Sequence, residues 1–443
     1  MYGQRSTLPT MTANPDRPVG IHYYSWVVFA LGFGLLLSDY MSRQVLNAVF
    51  PLLKHEWTLT DTELGALGGI VALMVGVLTL PLSVLADRWG RVRSLMLMAG
   101  LWSLATLGCA VATNFGEMFI ARLFVGIGEA AYGSVGIAMV LSVFPRRLRS
   151  SLSAAFIAGG PFGSVLGMAL GGTLSAHLGW RWAFAAMAIF GLVLVAVFRF
   201  VVTEPRLKAQ RERIGEEQGD ASAPKRLALR PMVSALFSAP SILCAYVGSA
   251  MQLLVTGALL AWMPSYLSRY YGMATDRAGL TAAGFVLAAG AGMIACGALT
   301  DWVARKAPTR KWLMAIAYSI TSCTLLVAAF HTPAGAAQMA LIFAGMLLVG
   351  GTAGPASAVV ANLTHPSIHA TAFATLTLAN NLLGLAPGPF VTGLIADRIG
   401  LLGALQIIPL AGLCATLCFA IGRKYYAADL RRIESHRAAQ AQT

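Results

Sequence analysis

Ser83–Arg93 reads SVLADRWGRVR, a polar turn rich in arginine between two apolar stretches, and it returns in altered form as GALTDWVARKAPTRK at Gly297–Lys311. A second echo pairs GGTLSAHLGWRWAF at Gly171–Phe184 with TGLIADRIGLLGAL at Thr392–Leu405. Repetition at this spacing marks a chain built as two copies of one structural unit. Outward from the echoes, segments of about 20 mainly apolar residues, the length that crosses a bilayer, lie near 24–48, 62–86, 94–112, 117–142, 151–175, 183–202, 240–267, 278–299, 312–330, 337–362, 371–395 and 402–421. The echoes occupy matching places in the first and second six. The expected fold is therefore all-α and membrane-embedded, with twelve transmembrane helices in two pseudo-symmetric six-helix bundles and a binding site between them near the midplane. The division is a tail at 1–23, a bundle at 24–202, a linker at 203–239, a bundle at 240–421 and a tail at 422–443.

Composition supports the same class. Of 443 residues, 57% are hydrophobic and 11% charged, where a soluble domain carries about 25% charged residues, and this excludes a soluble enzyme. The 46 Gly and 19 Pro suit membrane helices, which tolerate both. A net charge of +14 would suggest a nucleic-acid partner in a soluble protein. Here 24 of the 32 Lys and Arg fall on the segments facing one side and 5 on the other, with three inside spans. Positive-inside bias accounts for that charge without nucleic acid and puts both termini in the cytoplasm of a multi-pass inner-membrane protein. Arg5, Asp16 and Arg17 lead directly into a first span too long for a cleavable signal core. The linker, with EPRLKAQRERIGEEQGDASAPKR at 204–226, mixes both charge signs and reads as cytoplasmic, helical at its start at most.

Several chemistries are missing. No GxxxxGK[ST] loop and no Gly-Lys dipeptide occur, so ATP cannot be the energy source through a Walker site in this chain. GIGEAA at 126–131 and GAGMIA at 290–295 fit a loose dinucleotide pattern but lie within spans, where they read as helix packing. Cys109, Cys244, Cys296, Cys323, Cys414 and Cys418 are all in spans without metal-ligand spacing, and neither disulfide nor zinc is expected. His365 and His369, interrupted by Pro366, read as solvated loop residues. No cofactor or metal is expected.

Asp87-Arg88-x-Gly90-Arg91-x-Arg93 between spans 2 and 3 resembles the loop signature of the major facilitator superfamily, with Ser83 where that signature usually opens on Gly. Arg122-x3-Gly126-x-Gly128-Glu129-Ala130 resembles the superfamily's fourth-helix pattern, and Gly297-x3-Asp301 falls where the loop signature repeats. RLFVGIGEAAYGSV (122–135), AWMPSYLSRYYGM (261–273) and HPSIHATAFATLTLANNLLGLAPGPFVTGLIADRIG (365–400) look most like bacterial relatives of the spinster transporters, with the anion:cation symporters, carriers of sugar acids and other organic anions, a close second. Both groups usually carry Asp-Arg on helix 1; here the pair reads Ser42-Arg43, with Asp39 one turn earlier. AGGPFGSVLGMALGG at 158–172 is similar to the antiporter motif of the superfamily but has Ser164 where Gly is preferred, and close packing with a kink is the expectation there.

Ionisable groups in the hydrocarbon region are expensive and point to function. Asp39, Arg43, Arg122 and Glu129 lie well inside spans 1 and 4. With a rise of about 1.5 Å per residue, the carboxylates fall near the midplane and the guanidinium groups roughly 6–10 Å nearer the outside. Asp39 and Arg43 are four apart and Arg122 and Glu129 seven apart, so each pair shares a helical face. Glu129, partly removed from water, is the expected proton carrier, with Asp39 as helper. Arg122 and Arg43 are the expected ligands of an anionic substrate, since a guanidinium fork suits a carboxylate; the alternative is two buried ion pairs that only orient helices.

Tyr40 and Tyr132 are placed beside that cluster, and Gln252, Trp262, Tyr266, Asn380 and Asn381 on the opposing wall; each could equally serve helix packing or the interface. Asp87, where its own helix dipole disfavours a negative charge, implies a partner elsewhere: the N-terminus of span 11, with Arg88, Arg91 and Arg93 pairing across the loop and Asp301 as the second-half counterpart. The resemblance makes this group a latch; a plain positive-inside loop is the other reading. The expected function is a monomeric, proton-coupled secondary transporter of a small organic anion working by alternating access. A lysolipid or amphiphile carrier, a drug-efflux antiporter and a non-transporting sensor are the alternatives.

Overall fold

The computed structural model describes residues 23–145, 148–213, 237, 239–305, 307, 309–364 and 369–441, with the side chains of Asp87, Ser150, Arg213, His369, Ala370 and residues 433–441 outside that description. The N-terminal tail up to residue 22, most of the expected linker and His365 thus lie outside the described residues.

Among the described residues all regular structure is helical. The N-terminal half holds α1 (Tyr23–Trp57), α2 (Asp61–Trp89), α3 (Arg91–Val111), α4 (Phe115–Glu129), α5 (Tyr132–Leu141), α6 (Arg149–Leu178) and α7 (Trp180–Val201), followed by a short α8 (Glu204–Arg213). The C-terminal half holds α9 (Pro240–Tyr271), α10 (Thr275–Ala304), α11 (Arg310–His331), α12 (Ala336–Val349), α13 (Ala353–Leu363), α14 (His369–Ala379), α15 (Pro387–Ile407) and α16 (Ala411–Ala441). Two crossings are interrupted: α4 and α5 part at Ala130–Ala131, and α12 and α13 at the 3-10 turn Gly350–Thr352. α14 and α15 are joined through a π-helical turn, Asn380–Leu385.

Eleven described stretches are long and apolar enough to cross a membrane, the last of them Thr371–Arg432 with 62 residues. A straight helix of that length would extend about 93 Å, roughly three times the hydrocarbon core. It breaks at Gly400, with φ 80° and ψ 159°, and so makes two crossings, for twelve in all. Gly179, at the same position of the echoed segment, has φ 91° and ψ 155°. Only a residue without Cβ adopts that conformation freely, so the internal repeat extends to the backbone angle at its turns. α16 continues past residue 421, and Tyr426 and Asp429 are buried. Asp429 accepts the Ser241 amide at 3.1 Å and also the Ser241 hydroxyl, holding this extension to the start of α9.

The halves meet through α2 with α15 and α6 with α10. A Cβ on Gly65 would lie 2.4 Å from Pro389 O, one on Gly393 2.1 Å from Asp61 O, and one on Gly172 2.8 Å from Thr275 O. Backbones therefore touch, as small residues permit between membrane helices. All three contacts are near the face where α1 ends and α2 begins, called here the Asp61 face. There a single apolar core joins both halves, including Phe50 and Trp262 with ring centroids 5.3 Å apart. Toward the opposite face each half keeps its own core, around Trp102 and around Trp312. The halves are closed at one face and separate toward the other.

Candidate transport site

A cavity of about 690 Å³ occupies that separation. From α1 it is lined by Leu36, Asp39, Tyr40 and Arg43, from α2 by residues including Val75, Thr79 and Ser83, and from the helix break by Glu129, Ala130 and Ser134. The C-terminal half contributes Thr371, Phe373, Thr377, Asn381 and Leu385.

Its charged end is built from α1 and the last residue of α4. Arg43 Nε lies 2.7 Å from Glu129 Oε2 and 3.2 Å from Asp39 Oδ1. The single Nε–H donates to Asp39, so neither oxygen of Glu129 receives a hydrogen bond while both carboxyls are ionised. Asp39 is the neighbour with which Glu129 could share a proton. Both carboxylates are almost fully buried, whereas the Arg43 side chain is 19% exposed. Its carbon Cζ sits 5.2 Å above the Tyr40 ring, and its two terminal amino groups make no hydrogen bond among the described residues. A guanidinium whose fork is unoccupied beside a cavity can receive a carboxylate bidentately.

Arg122 is placed differently from the expectation. It is 2% exposed, does not line the cavity, and donates Nη1 to Ser42 O at 2.9 Å and Nε to Leu67 O at 3.4 Å. The i, i+7 spacing does put it near Glu129, but its hydrogens point to backbone carbonyls of α1 and α2. Tyr132 is also inside the protein, donating to Gly32 O at 2.8 Å against Trp102. On the C-terminal half, Gln252 donates to Ser322 Oγ at 2.9 Å, Trp262 Nε1 to Pro389 O at 3.0 Å and Tyr266 to Gln338 Oε1 at 3.0 Å. These three polar groups are used between helices, so none of them forms the opposing wall in this conformation. Asn381 does line the cavity, with Nδ2 on Thr377 O at 2.9 Å, while Asn380 beside it in the π turn does not.

The opposite face is held by groups that the sequence reading did not select. Asp61 receives Arg269 of α9 through Nη1 at 2.9 Å and Nη2 at 2.7 Å, and Lys54 Nζ at 2.6 Å. Asp397 of α15 accepts the backbone amides of Asp61 and Thr62 at 2.8 and 2.9 Å. The first amides of a helix have no partner within it and carry its positive dipole end; a carboxylate from the other half supplies both needs. A signal existed in the sequence: Ala396-Asp397-Arg398-Ile399-Gly400 repeats Ala86-Asp87-Arg88-Trp89-Gly90.

Of the expected latch, the Asp87 side chain lies outside the described residues. Arg88 and Arg93 are exposed and Arg91 half-buried at the turn from α2 to α3, and Asp301 is exposed near the end of α10. At the same turn Glu204 of α8 accepts the Val92 amide at 3.2 Å, fastening the start of the linker to the N-terminal half.

A family model described as Major Facilitator Superfamily matches residues 32–389. The chain is 25% identical over 406 residues to Protein spinster of Drosophila melanogaster, an alignment covering 88% of this chain and 65% of that protein's length, so the chain spans about two thirds of it. It is 27% identical over 412 residues to an MFS-type efflux pump of Mycolicibacterium smegmatis (88% and 91% covered) and 28% identical over 328 residues to a gallate transporter of Pseudomonas putida (69% and 70%). Among solved structures, a bacterial homolog of the human lysosomal transporter Spinster, in an inward-facing and unoccupied conformation, superposes with a TM-score of 0.77 at 18% identity over 93% of this chain and 98% of that one.

Proposed function

The chain belongs to the Major Facilitator Superfamily, and on that premise we propose that it is a proton-coupled secondary transporter that carries a small organic anion across the inner membrane by alternating access. The observation that carries this reading is Arg43, with its fork unoccupied at the cavity wall and two carboxylates around its Nε. Arg43 receives the anion, and Tyr40 flanks it. The formal charges of Asp39, Arg43, Arg122 and Glu129 sum to zero, so a bound monoanion calls for one more positive charge. A proton on Glu129, with Asp39 as its helper, supplies it and removes the competitor for Arg43. Substrate and proton then travel together. The gallate transporter among the relatives supports the anionic class.

With the positive-inside orientation, the Asp61 face is outside and the described conformation is open to the cytoplasm. Closing the cytoplasmic side brings Asp87 to the N-terminus of α14, with Arg88, Arg91, Arg93 and Asp301 completing the latch. Arg122 is an anchor of α1 in this conformation and would meet substrate only after rearrangement.

The test is a thermal-shift screen of the detergent-purified protein, wild type beside Arg43→Gln, against aromatic acids, sugar acids and lysophospholipids at two pH values. A ligand at about 100 times its Kd stabilises by about 2.7 kcal/mol. Stabilisation by a small carboxylate that is lost in the variant is the expected result. The likeness to Protein spinster favours a second reading, an anionic amphiphile whose chain lies along Leu80, Val84 and Phe373 of the cavity; stabilisation by lysophospholipids alone would replace the first reading with this one.

A further inference from the structure

The crossing made by α4 and α5 breaks just after Glu129, with Ala131 at φ −115° and ψ 0°. A helix end leaves carbonyls without the amide that would normally reach back to them. The carbonyl of Ala130, the residue next to Glu129, has its partner on another helix: Thr79 Oγ1 of α2 lies 2.6 Å from it. The same hydroxyl is 2.5 Å from Val75 O, but that carbonyl sits inside a continuous helix, where the ladder already provides an amide. A hydroxyl has one proton to donate, so Ala130 O is the acceptor that depends on it. The next carbonyl, Ala131 O, keeps its amide partner, Val135 N at 3.1 Å, and takes a second bond from Ser134 Oγ at 3.0 Å, a hydroxyl that is itself 3.0 Å from Ser83 Oγ of α2. α2 thus braces the break directly through Thr79 and indirectly through Ser83, and its first turn carries the clamp to the C-terminal half at Asp61 and Thr62.

We infer that Thr79 is a positioning residue for the proton site: its hydroxyl ties the backbone that carries Glu129 to α2, so that a change of charge at Glu129 is passed to the helix that clamps the opposite face. The inference rests on the reading of Glu129 as the proton carrier. The ionisable groups around Glu129 are Asp39, Arg43 and Tyr40 on α1, Cys109 on α3 and Arg122 on α4. Among the described residues that α2 and α14 bring to the cavity, none is ionisable. Removing the Thr79 hydroxyl therefore changes no charge at the site, and any effect on titration runs through position. Thr79→Val leaves the Ala130 carbonyl without a donor, which frees the break to shift relative to Arg43.

The experiment is an infrared difference titration of the purified full chain, reading the carbonyl stretch of protonated carboxyl groups against pH, with no added ligand. The expected result is a titrating band in wild type that Glu129→Gln removes, that Thr79→Val displaces by roughly half a pH unit or more, and that Thr79→Ser returns to the wild-type midpoint. Thr324→Val, which removes a hydroxyl bonded only within α11, leaves the midpoint in place. If the band survives Glu129→Gln, the proton-carrier reading fails and this inference with it. If Glu129→Gln removes the band but Thr79→Val titrates as wild type does, only the role of Thr79 is overturned. Should Thr79→Val not fold, Thr79→Ala removes the same hydroxyl with less bulk, and its comparison with Thr79→Ser decides.

Discussion

Asp397, on the C-terminal half, accepts the backbone amides of Asp61 and Thr62, at the first turn of a helix in the N-terminal half, at 2.8 and 2.9 Å. The Asp61 side chain in turn holds Arg269 of the C-terminal half in a two-pronged pair. One short segment thereby clamps the halves twice, once through backbone amides and once through its carboxylate. Hydrogen bonds involving a charged group contribute about 1.5–3 kcal/mol each, and 1.4 kcal/mol is tenfold in a population. Asp397→Ala is therefore expected to shift the resting protein at least tenfold toward opening at this face. Spin labels at His177 and Arg277, exposed at this face on the two halves, introduced in a background free of the six cysteines, report the change as a longer distance component. An unaltered distance distribution would show that the clamp does not hold the face.

The close approach of backbones beside that clamp makes a steric prediction. A Cβ on Gly393 would sit 2.1 Å from Asp61 O, and the obstacle is backbone, which cannot rotate away. Gly393→Ala is expected to fold but to close poorly at the Asp61 face, with transport falling at least tenfold while ligand binding persists. The checks are counterflow in proteoliposomes and ligand-induced thermal stabilisation on the same preparation. Wild-type counterflow in the variant would mean that the halves close without this contact.

Glu129 offers the test of coupling. Its carboxylate is buried, is paired with Arg43 Nε at 2.7 Å, and receives no hydrogen bond when ionised. Glu129→Gln keeps the shape and removes the exchangeable proton. Uptake driven by a pH gradient is expected to fall to background, whereas exchange of internal for external substrate, which needs no net proton movement, continues. Both are measured on the same vesicles with the ligand that the thermal-shift screen identifies. A preserved response to the gradient would take Glu129 out of the coupling mechanism.

Much of this architecture could be read before the structure, and the boundary of what could not is physical. Echoed turns such as Leu178-Gly179-Trp180 and Ile399-Gly400-Leu401 mark chain reversals whatever surrounds them, because the reversal needs a residue tolerant of positive φ. Asp39, Arg43 and Glu129 were visible because a charge inside an apolar span has few acceptable places to go. For Gln252, Trp262 and Tyr266 the sequence leaves cavity wall and helix packing equally open, and the structure has all three bonding between helices. Helices apolar on most faces carry little periodicity, so the rotation that aims a given side chain is set by packing partners far away in sequence. Asp61 and Arg269 lie at span ends among ordinary loop charges, and only their meeting across 208 positions gives them a role. Arg122 shows the finer limit: spacing put it on the Glu129 face, but nothing local says that its donors end on Ser42 O and Leu67 O.

That placement separates the two arginines experimentally. Arg122 ties α4 to carbonyls of α1 and α2, and one of those carbonyls belongs to Ser42, the residue preceding Arg43. Arg43 reaches the cavity itself. Arg122→Gln removes a charged donor from two carbonyls that keep their helix-ladder amides, and a hydrogen bond involving a charged group contributes about 1.5–3 kcal/mol. The expected outcome is a lower unfolding temperature in detergent, with the stabilisation by a small carboxylate ligand still present in the folded fraction. Arg43→Gln takes the counter-ion from two buried carboxylates and is also expected to lower the unfolding temperature, but, unlike Arg122→Gln, it abolishes the ligand-dependent increment. Measuring both variants with and without ligand, at the same pH, gives four temperatures whose pattern distinguishes an anchor from a substrate contact. Loss of the ligand increment in Arg122→Gln, with the unfolding temperature unchanged, would return Arg122 to the substrate site and imply that the cavity rearranges around it before the anion is bound.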